Sequence, residues 1–315
     1  MVTQACTPKP LLDFVRGRHD LLNHPLLWTW KHLESLGCQF DDLETSAYSE
    51  SAPKDSQGTA DAEALARRLF PEVKLRSLCR LLLGEGRDFA RARQGSHFYF
   101  QGRPIHRPSY MAFYRREAPL DNSSPPLVGY IHYTDLNEDR IDHCEGLARA
   151  SRVPGRRQKL LALIAPRDWT EDPYFHFILL ALAQRQRVLR LRSPGPELES
   201  RFVSRLVVTH ALDQESILLC EAAITTDILD ALGNLKSAVM PITWPTIHRK
   251  MIPYKPYDTF AGRLRDQLVV SSPSKLFDHV NDATSYETKR RQGMDDDGED
   301  DCSTENSANT RHMSW

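Results

Sequence analysis

The sequence lacks the features that define several classes of protein. No apolar run approaches the roughly 20 residues that a membrane-spanning helix needs. Residues 1–10 lack the basic-then-apolar order of a signal peptide. The 41 Lys and Arg against 42 Asp and Glu leave a formal net charge of -1, so the overall charge favours neither a nucleic-acid nor a membrane partner. We expect an intracellular protein, cytoplasmic or nuclear, without a membrane partner.

Cysteine pairs and cofactor motifs are also missing. The six cysteines are scattered singly, which indicates reduced thiols rather than a disulfide framework. No Gly-x-Ser-x-Gly elbow, dinucleotide-binding Gly-x-Gly-x-x-Gly or Gly-x-x-x-x-Gly-Lys-Ser/Thr loop occurs, and Gly84-Glu85-Gly86 is better explained as a helix stop. The sequence therefore predicts no cofactor.

What is present indicates four segments. Apolar residues at helical intervals predict a helical element over residues 1–40, and a Ser-, Asp- and Ala-rich stretch over 41–61 predicts a linker or long surface loop. Residues 62–271 carry enough apolar residues for a mixed α/β domain. Residues 272–315 are polar, with six acids between Asp295 and Asp301, and predict a disordered acidic tail.

The domain contains several segments with strand-like composition. Three short runs, His97–Gln101, Tyr110–Arg115 and Leu127–Tyr133, predict a small antiparallel sheet. Two longer runs, Arg205–Leu212 and Ser216–Ile224, are joined by three polar residues and predict a hairpin.

A β-α-β unit is predicted between these groups. The apolar run Lys159–Ala165 reads as a strand, Pro173–Gln184 as a helix and Val188–Arg192 as a second strand. The fold class is thus α/β or α+β, with a mixed sheet, an antiparallel hairpin, one β-α-β unit and flanking helices.

The segment after the hairpin combines a helix and a proline-rich strap. Thr225 or Thr226 should cap a helix that ends at Gly233-Asn234. Met240–Leu268 contains four prolines and four aromatic residues, which predicts an extended strap whose Trp244 and Phe260 close the core. The hairpin, the helix and the strap sequence PYKPYDTF resemble a group of filamentous-fungal proteins. That resemblance implies no particular chemistry.

The order of elements also resembles that of PD-(D/E)XK-type nucleases. Their metal site needs an acidic residue on the second strand and a Glu-x-Lys pair on the third. The presumed third strand, Val128–Tyr133, has neither Glu nor Lys. This resemblance therefore implies at most an inactive nuclease-like fold.

Residue types that perform catalysis concentrate at the end of the run Leu127–Tyr133 and directly after it. We take His132, Asp135 and His143 as candidate catalytic residues, because sites commonly lie in loops at strand ends. Asp142, Cys144 and Glu145 accompany them, but the spacing matches no zinc pattern, so no metal is predicted. The alternative is an ordinary polar turn.

Positive charge concentrates in residues 149–205, which hold twelve basic residues against five acidic ones. Arg190 and Arg192 alternate with leucines, so on a strand they would share a face and could bind phosphates or carboxylates. The candidate binding residues are Arg156, Arg157, Arg187, Arg190 and Arg192. The alternative is a solvated face with ordinary salt bridges.

Two functions follow from these features. The first is a non-catalytic or regulatory protein that binds a protein or polyanion partner through residues 149–205. The basic cluster Lys289-Arg290-Arg291 is compatible with a nuclear location. The second is an enzyme or accessory protein of fungal specialised metabolism with its site near His132, Asp135 and His143. Convergence of those three side chains on a pocket would favour the enzyme.

Overall fold

A computed structural model of the chain describes residues 24–43, 56–83, 86–116, 127–151, 153–192, 201–235 and 242–269. The described helices are α1 (Trp30–Leu36), α2 (Ser56–Arg67), α3 (Pro71–Leu82), α4 (Tyr133–Ser151), α5 (Arg156–Ile164), α6 (Tyr174–Arg190), α7 (Thr226–Gly233) and α8 (Tyr257–Val269). The described strands are β1 (Phe40–Asp42), β2 (Phe89–Gln94), β3 (Phe98–Phe100), β4 (Arg103–His106), β5 (Met111–Arg115), β6 (Leu127–His132), β7 (Arg201–Thr209), β8 (Ser216–Thr225) and β9 (Ile247–Pro253). None of the described helices is long and apolar enough to cross a membrane.

A seven-stranded mixed sheet forms the centre of the fold, in the order β1-β9-β8-β7-β6-β5-β2. The pairs β1/β9 and β6/β7 are parallel, and the remaining neighbours are antiparallel. Strands β3 and β4 form a separate hairpin. The mixed α/β class predicted from the sequence is confirmed.

Helices cover both faces of this sheet because its inner strands are apolar on both sides. In β6 the side chains of Leu127 and Ile131 enter one core, whereas Val128 and Tyr130 enter the other. Helix α6 packs in the first core, and helices α2, α3 and α8 pack in the second. Such double coverage explains why β6 is buried along its whole length.

Gly129 allows α6 to approach β6 closely. A Cβ atom at this position would lie 2.9 Å from Leu182 Cδ1 and 3.2 Å from Leu206 Cδ1. A larger residue would therefore require the Leu182 side chain to shift.

The β-α-β unit was predicted in the wrong place. The run Lys159–Ala165 lies mostly in α5, where Leu163 is 70% exposed, and residues Val188–Arg190 are the last turn of α6. A short apolar run cannot be assigned to a helix or a strand from periodicity alone. A β-α-β connection does occur between the parallel strands β6 and β7, which are joined through α4, α5 and α6.

Signals from turns and caps were read correctly. Strands β7 and β8 form the predicted antiparallel hairpin. The side chain of Thr225 accepts a hydrogen bond from the Ile228 amide at the start of α7. Gly37 ends α1 with a left-handed φ of 79°.

The proline-rich strap is in part a sheet strand. Ile247–Pro253 forms β9 between β1 and β8, because Pro245 precedes the strand and Pro253 is its last residue, so no proline interrupts it. Phe260 is fully buried as predicted, but Trp244 is only half-buried. Arg263 of α8 donates hydrogen bonds to the carbonyl oxygens of Pro253, Tyr254 and Pro256. The PYKPYDTF segment is therefore a packed structural corner.

Some predictions fall outside the described residues. These are the acidic tail over 272–315, the basic cluster at residues 289–291 and most of the linker over 41–61. Helix α2 begins at Ser56, within the stretch that was predicted as linker.

Candidate functional site

The candidate site lies where the parallel strands β6 and β7 end. His132, the last residue of β6, pairs in register with Thr209, the last residue of β7. Helix α4 begins immediately after His132. The carboxyl ends of parallel strands are the usual place for ligand sites in α/β sheets.

His132 is a buried histidine with one unsatisfied nitrogen. Its side chain is 1% exposed, and Nδ1 accepts a hydrogen bond from the Thr134 amide at 3.2 Å. In the neutral ring the proton is therefore on Nε2. Nε2 is buried and has no hydrogen-bond partner among the described residues. Burial lowers the pKa of His132 to about 4, with a further contribution from the nearby charge of Lys74, so the ring is neutral at pH 7.

Asp135 lies one turn further along the chain, in the first turn of α4. Burial, with smaller contributions from the neighbouring acids Glu138, Glu72 and Asp139, raises the pKa of its carboxyl group to about 6. A carboxyl group that titrates near neutral pH can both accept and return a proton.

Both residues line one cavity of about 340 Å³. Its walls come from the start of α3, from β2, β5 and β6, and from the start of α4. The lining residues are Pro71, Glu72, Leu75, Gln94, Ser109, Tyr110, Met111, Tyr130, Ile131, His132 and Asp135. The lining residues thus combine apolar side chains with two carboxylates, one amide, three hydroxyl groups and an imidazole.

His143 is separated from the other two candidates. It lies further along α4, where its ring stacks on His24 at 4.2 Å between centroids. His24 in turn contacts His106 edge-on at 4.5 Å, and His106 Nε2 lies 2.5 Å from the Tyr174 hydroxyl. Burial lowers the pKa of all three histidines. Two of the three predicted catalytic residues therefore share a cavity, and the third belongs to a separate histidine cluster.

The remaining acidic and sulfur-containing candidates do not reach the cavity. Asp142 is exposed, Cys144 is buried, and Glu145 pairs with Arg149 and Arg157 along the surface. Within the described residues, no group of three or more His, Cys, Asp or Glu side chains could hold a metal ion.

The predicted arginine face does not form as a strand. Arg190 lies in the last turn of α6 and Arg192 follows it, so the alternation expected of a strand is absent. Arg187 donates to Asp230 at 2.6 Å, and Arg157 lies 3.5 Å from Glu145. Arg156 begins α5, a different helix, and its side chain is exposed. The five arginines therefore do not share one strand face.

Sequence reasoning missed Glu72 and Lys74. Both lie at the start of α3, where an acidic residue next to Pro71 is a common first-turn pattern. Lys74 is fully buried, and its Nζ donates to the carbonyl oxygens of Leu65 at 2.6 Å and Ala66 at 3.3 Å. Burial lowers its pKa to about 8. Glu72 could be recognised as a helix start, but only the tertiary fold places it beside Asp135.

Comparison with known proteins gives no assignment. No protein-family model, curated protein or solved structure matches this chain.

Proposed function

We propose that the protein binds a small polar molecule in the cavity at the end of β6 and transfers a proton to or from it. The observation that carries this proposal is the buried Nε2 of His132, which has no partner among the described residues and belongs to a residue of the cavity lining. A buried donor without an acceptor costs about 1–3 kcal/mol. A bound ligand that supplies the acceptor would recover that free energy.

The two side chains suit different parts of such a reaction. Neutral His132 offers Nε2–H to an oxygen or nitrogen of the ligand and holds it in place. Asp135, with a pKa raised to about 6, is the general base and returns the proton later. A base with this pKa is mostly ionised at pH 7 yet remains a competent acid in its protonated form.

The alternative from the sequence, binding of a polyanion through residues 149–205, has less support. Its candidate residues are divided between two helices, and Arg157 and Arg187 have acidic neighbours. Exposed Arg156 and Arg192 remain available to a partner.

The proposal can be tested by ligand-observed NMR with a fragment library and the full chain. We expect a subset of fragments to bind, to lose binding in His132→Phe, and to keep it in His143→Phe. The second variant is a matched control, because His143 is a half-buried histidine outside the cavity lining.

A second measurement needs no ligand. Carbon-13 NMR of the side-chain carboxyl groups should show one aspartate that titrates near pH 6 and disappears in Asp135→Asn. The proposal fails if Asp135 titrates in the ordinary aspartate range and His132→Phe leaves fragment binding unchanged.

A further inference from the structure

The cavity has negative charge and no positive charge in its lining. Asp135 and Glu72 contribute carboxylates, and none of the lining residues is Lys or Arg. Lys74, the buried cation that shifts the pKa of His132, directs its Nζ to the carbonyl oxygens of Leu65 and Ala66. Neither Asp135 nor Glu72 forms a salt bridge with a described lysine or arginine.

The charged neighbours of Asp135 on two helices are acidic residues. Glu72 faces it from α3, and Glu138 and Asp139 lie on its own helix α4. The titratable neighbours from β6 are neutral at pH 7, namely His132 and Tyr130, because burial lowers the pKa of the first and raises that of the second. An anionic ligand would meet uncompensated repulsion here, whereas a cation would be attracted.

We infer that the ligand of this cavity carries an ammonium group together with a hydrogen-bond acceptor and an apolar portion. This inference rests on the proposed function and specifies its substrate class. The ammonium group would lie between Asp135 and Glu72, and the acceptor would receive Nε2–H of His132. The apolar portion would contact Leu75 and Met111, which line the same cavity.

The affinity for such a ligand should depend on pH in a characteristic way. An ammonium group binds the ionised form of Asp135 better than the protonated form, so its affinity should rise as pH increases from 5 to 7 through the pKa near 6. A carboxylate ligand should show the opposite trend, and an uncharged alcohol should show neither strongly.

Three probes of similar shape separate these cases: benzylamine, benzyl alcohol and benzoate. Their affinities for the full chain can be measured by NMR titration at pH 5, 6 and 7. We expect the affinity of benzylamine at pH 7 to be at least about tenfold higher than that of benzoate, since a hydrogen bond to a charged group contributes more to binding than one between neutral groups. Asp135→Asn should abolish most of that preference, and Glu72→Gln should reduce it.

Asp142→Asn is the matched control, because it removes the same charge from an exposed site on the same helix. It should change benzylamine affinity by less than about twofold, as expected for a screened surface charge. If benzoate or benzyl alcohol binds as tightly as benzylamine, and that binding is lost in His132→Phe, the amine class is overturned and the proposed function stands. If no probe binds while library fragments do, the amine class is overturned in the same way. If the library also gives no ligand sensitive to His132→Phe, both proposals fail.

Discussion

Replacing Asp172 by asparagine should strongly destabilise the fold. The Asp172 side chain is fully buried and accepts four hydrogen bonds. Both terminal nitrogens of Arg140 donate to it, at 2.6 and 2.5 Å, and the Tyr133 hydroxyl donates at 2.8 Å. The fourth donor is the Tyr174 amide at 2.9 Å. This carboxylate therefore joins the start of α4, a later turn of α4 and the start of α6.

The size of the effect follows from the charge that remains. Asparagine is neutral, and its amide nitrogen cannot accept a hydrogen bond from Arg140. Arg140 is only 3% exposed, so its guanidinium group would then be an uncompensated buried charge. Breaking a buried ion pair in this way costs about 3–5 kcal/mol. That is a large part of the 5–15 kcal/mol or so by which native proteins are stable.

Urea unfolding of the full chain, followed by tryptophan fluorescence and circular dichroism, would measure this loss. Glu145→Gln is the matched control, because Glu145 pairs with the 81% exposed Arg149 on the same helix and should contribute at most about 1 kcal/mol. The combined replacement Asp172→Leu with Arg140→Met should recover much of the stability, since it leaves no buried charge. The reasoning is refuted if Asp172→Asn costs no more than Glu145→Gln.

Three further predictions concern other parts of the fold. Phe260→Ala should lower the free energy of unfolding by about 3–5 kcal/mol in urea, and Trp244→Ala by less, because only Phe260 is fully buried. Burial lowers the pKa of His176 to about 3, so between pH 6.5 and 3 the unfolded chain binds a proton at this histidine and the folded chain does not. The free energy of unfolding should therefore fall by up to about 4 kcal/mol as the pH drops from 6.5 to 3. His176→Phe should flatten this part of the pH profile of urea unfolding. If exposed Arg156 and Arg192 bind a polyanion, replacing both by alanine should reduce the slope of log affinity against log salt for single-stranded DNA by about 1.4. Absence of binding at low salt would remove that candidate.

Much of the fold could be predicted from local signals. The hairpin β7/β8 was found because two apolar runs flank a short polar turn, and α7 because Thr225 caps it and Gly233-Asn234 ends it. These patterns act over a few residues, so the amino-acid sequence is sufficient to recognise them.

The predictions were wrong for segments whose secondary structure is determined by tertiary packing. The apolar run Lys159–Ala165 has the composition of a buried strand, yet more than half of the residues of α5 are exposed. In β9 the prolines suggested irregular structure, but Pro245 precedes the strand and Pro253 ends it, so the ladder with β8 is preserved between Ser216 and Glu221. Pairing with β1 and β8 stabilises this strand, and residues so distant in the chain leave no local signal.

Only part of the candidate site could be predicted from the sequence, and the reason is geometric. His132 ends a strand and Asp135 lies in the next helical turn, so they remain close in space. His143 follows Asp135 by eight residues, which is about 12 Å along a helix at 1.5 Å per residue. Glu72 is far away in the sequence and reaches the cavity only because α3 packs on the same face of the sheet.

The buried Asp172 network and the cavity are linked through the first turn of α4. Tyr133, which donates to Asp172, directly follows His132 in the chain and precedes Asp135 by two residues. Arg140 anchors the same helix from within its second turn. Because the ends of this segment are held by one carboxylate, the direction in which Asp135 points depends on the network. Loss of Asp172 should therefore return the pKa of Asp135 toward its ordinary value even in molecules that remain folded, which the carboxyl NMR titration can detect. If the pKa of Asp135 stayed near 6 in folded Asp172→Asn protein, the cavity would be positioned by β6 and α3 alone.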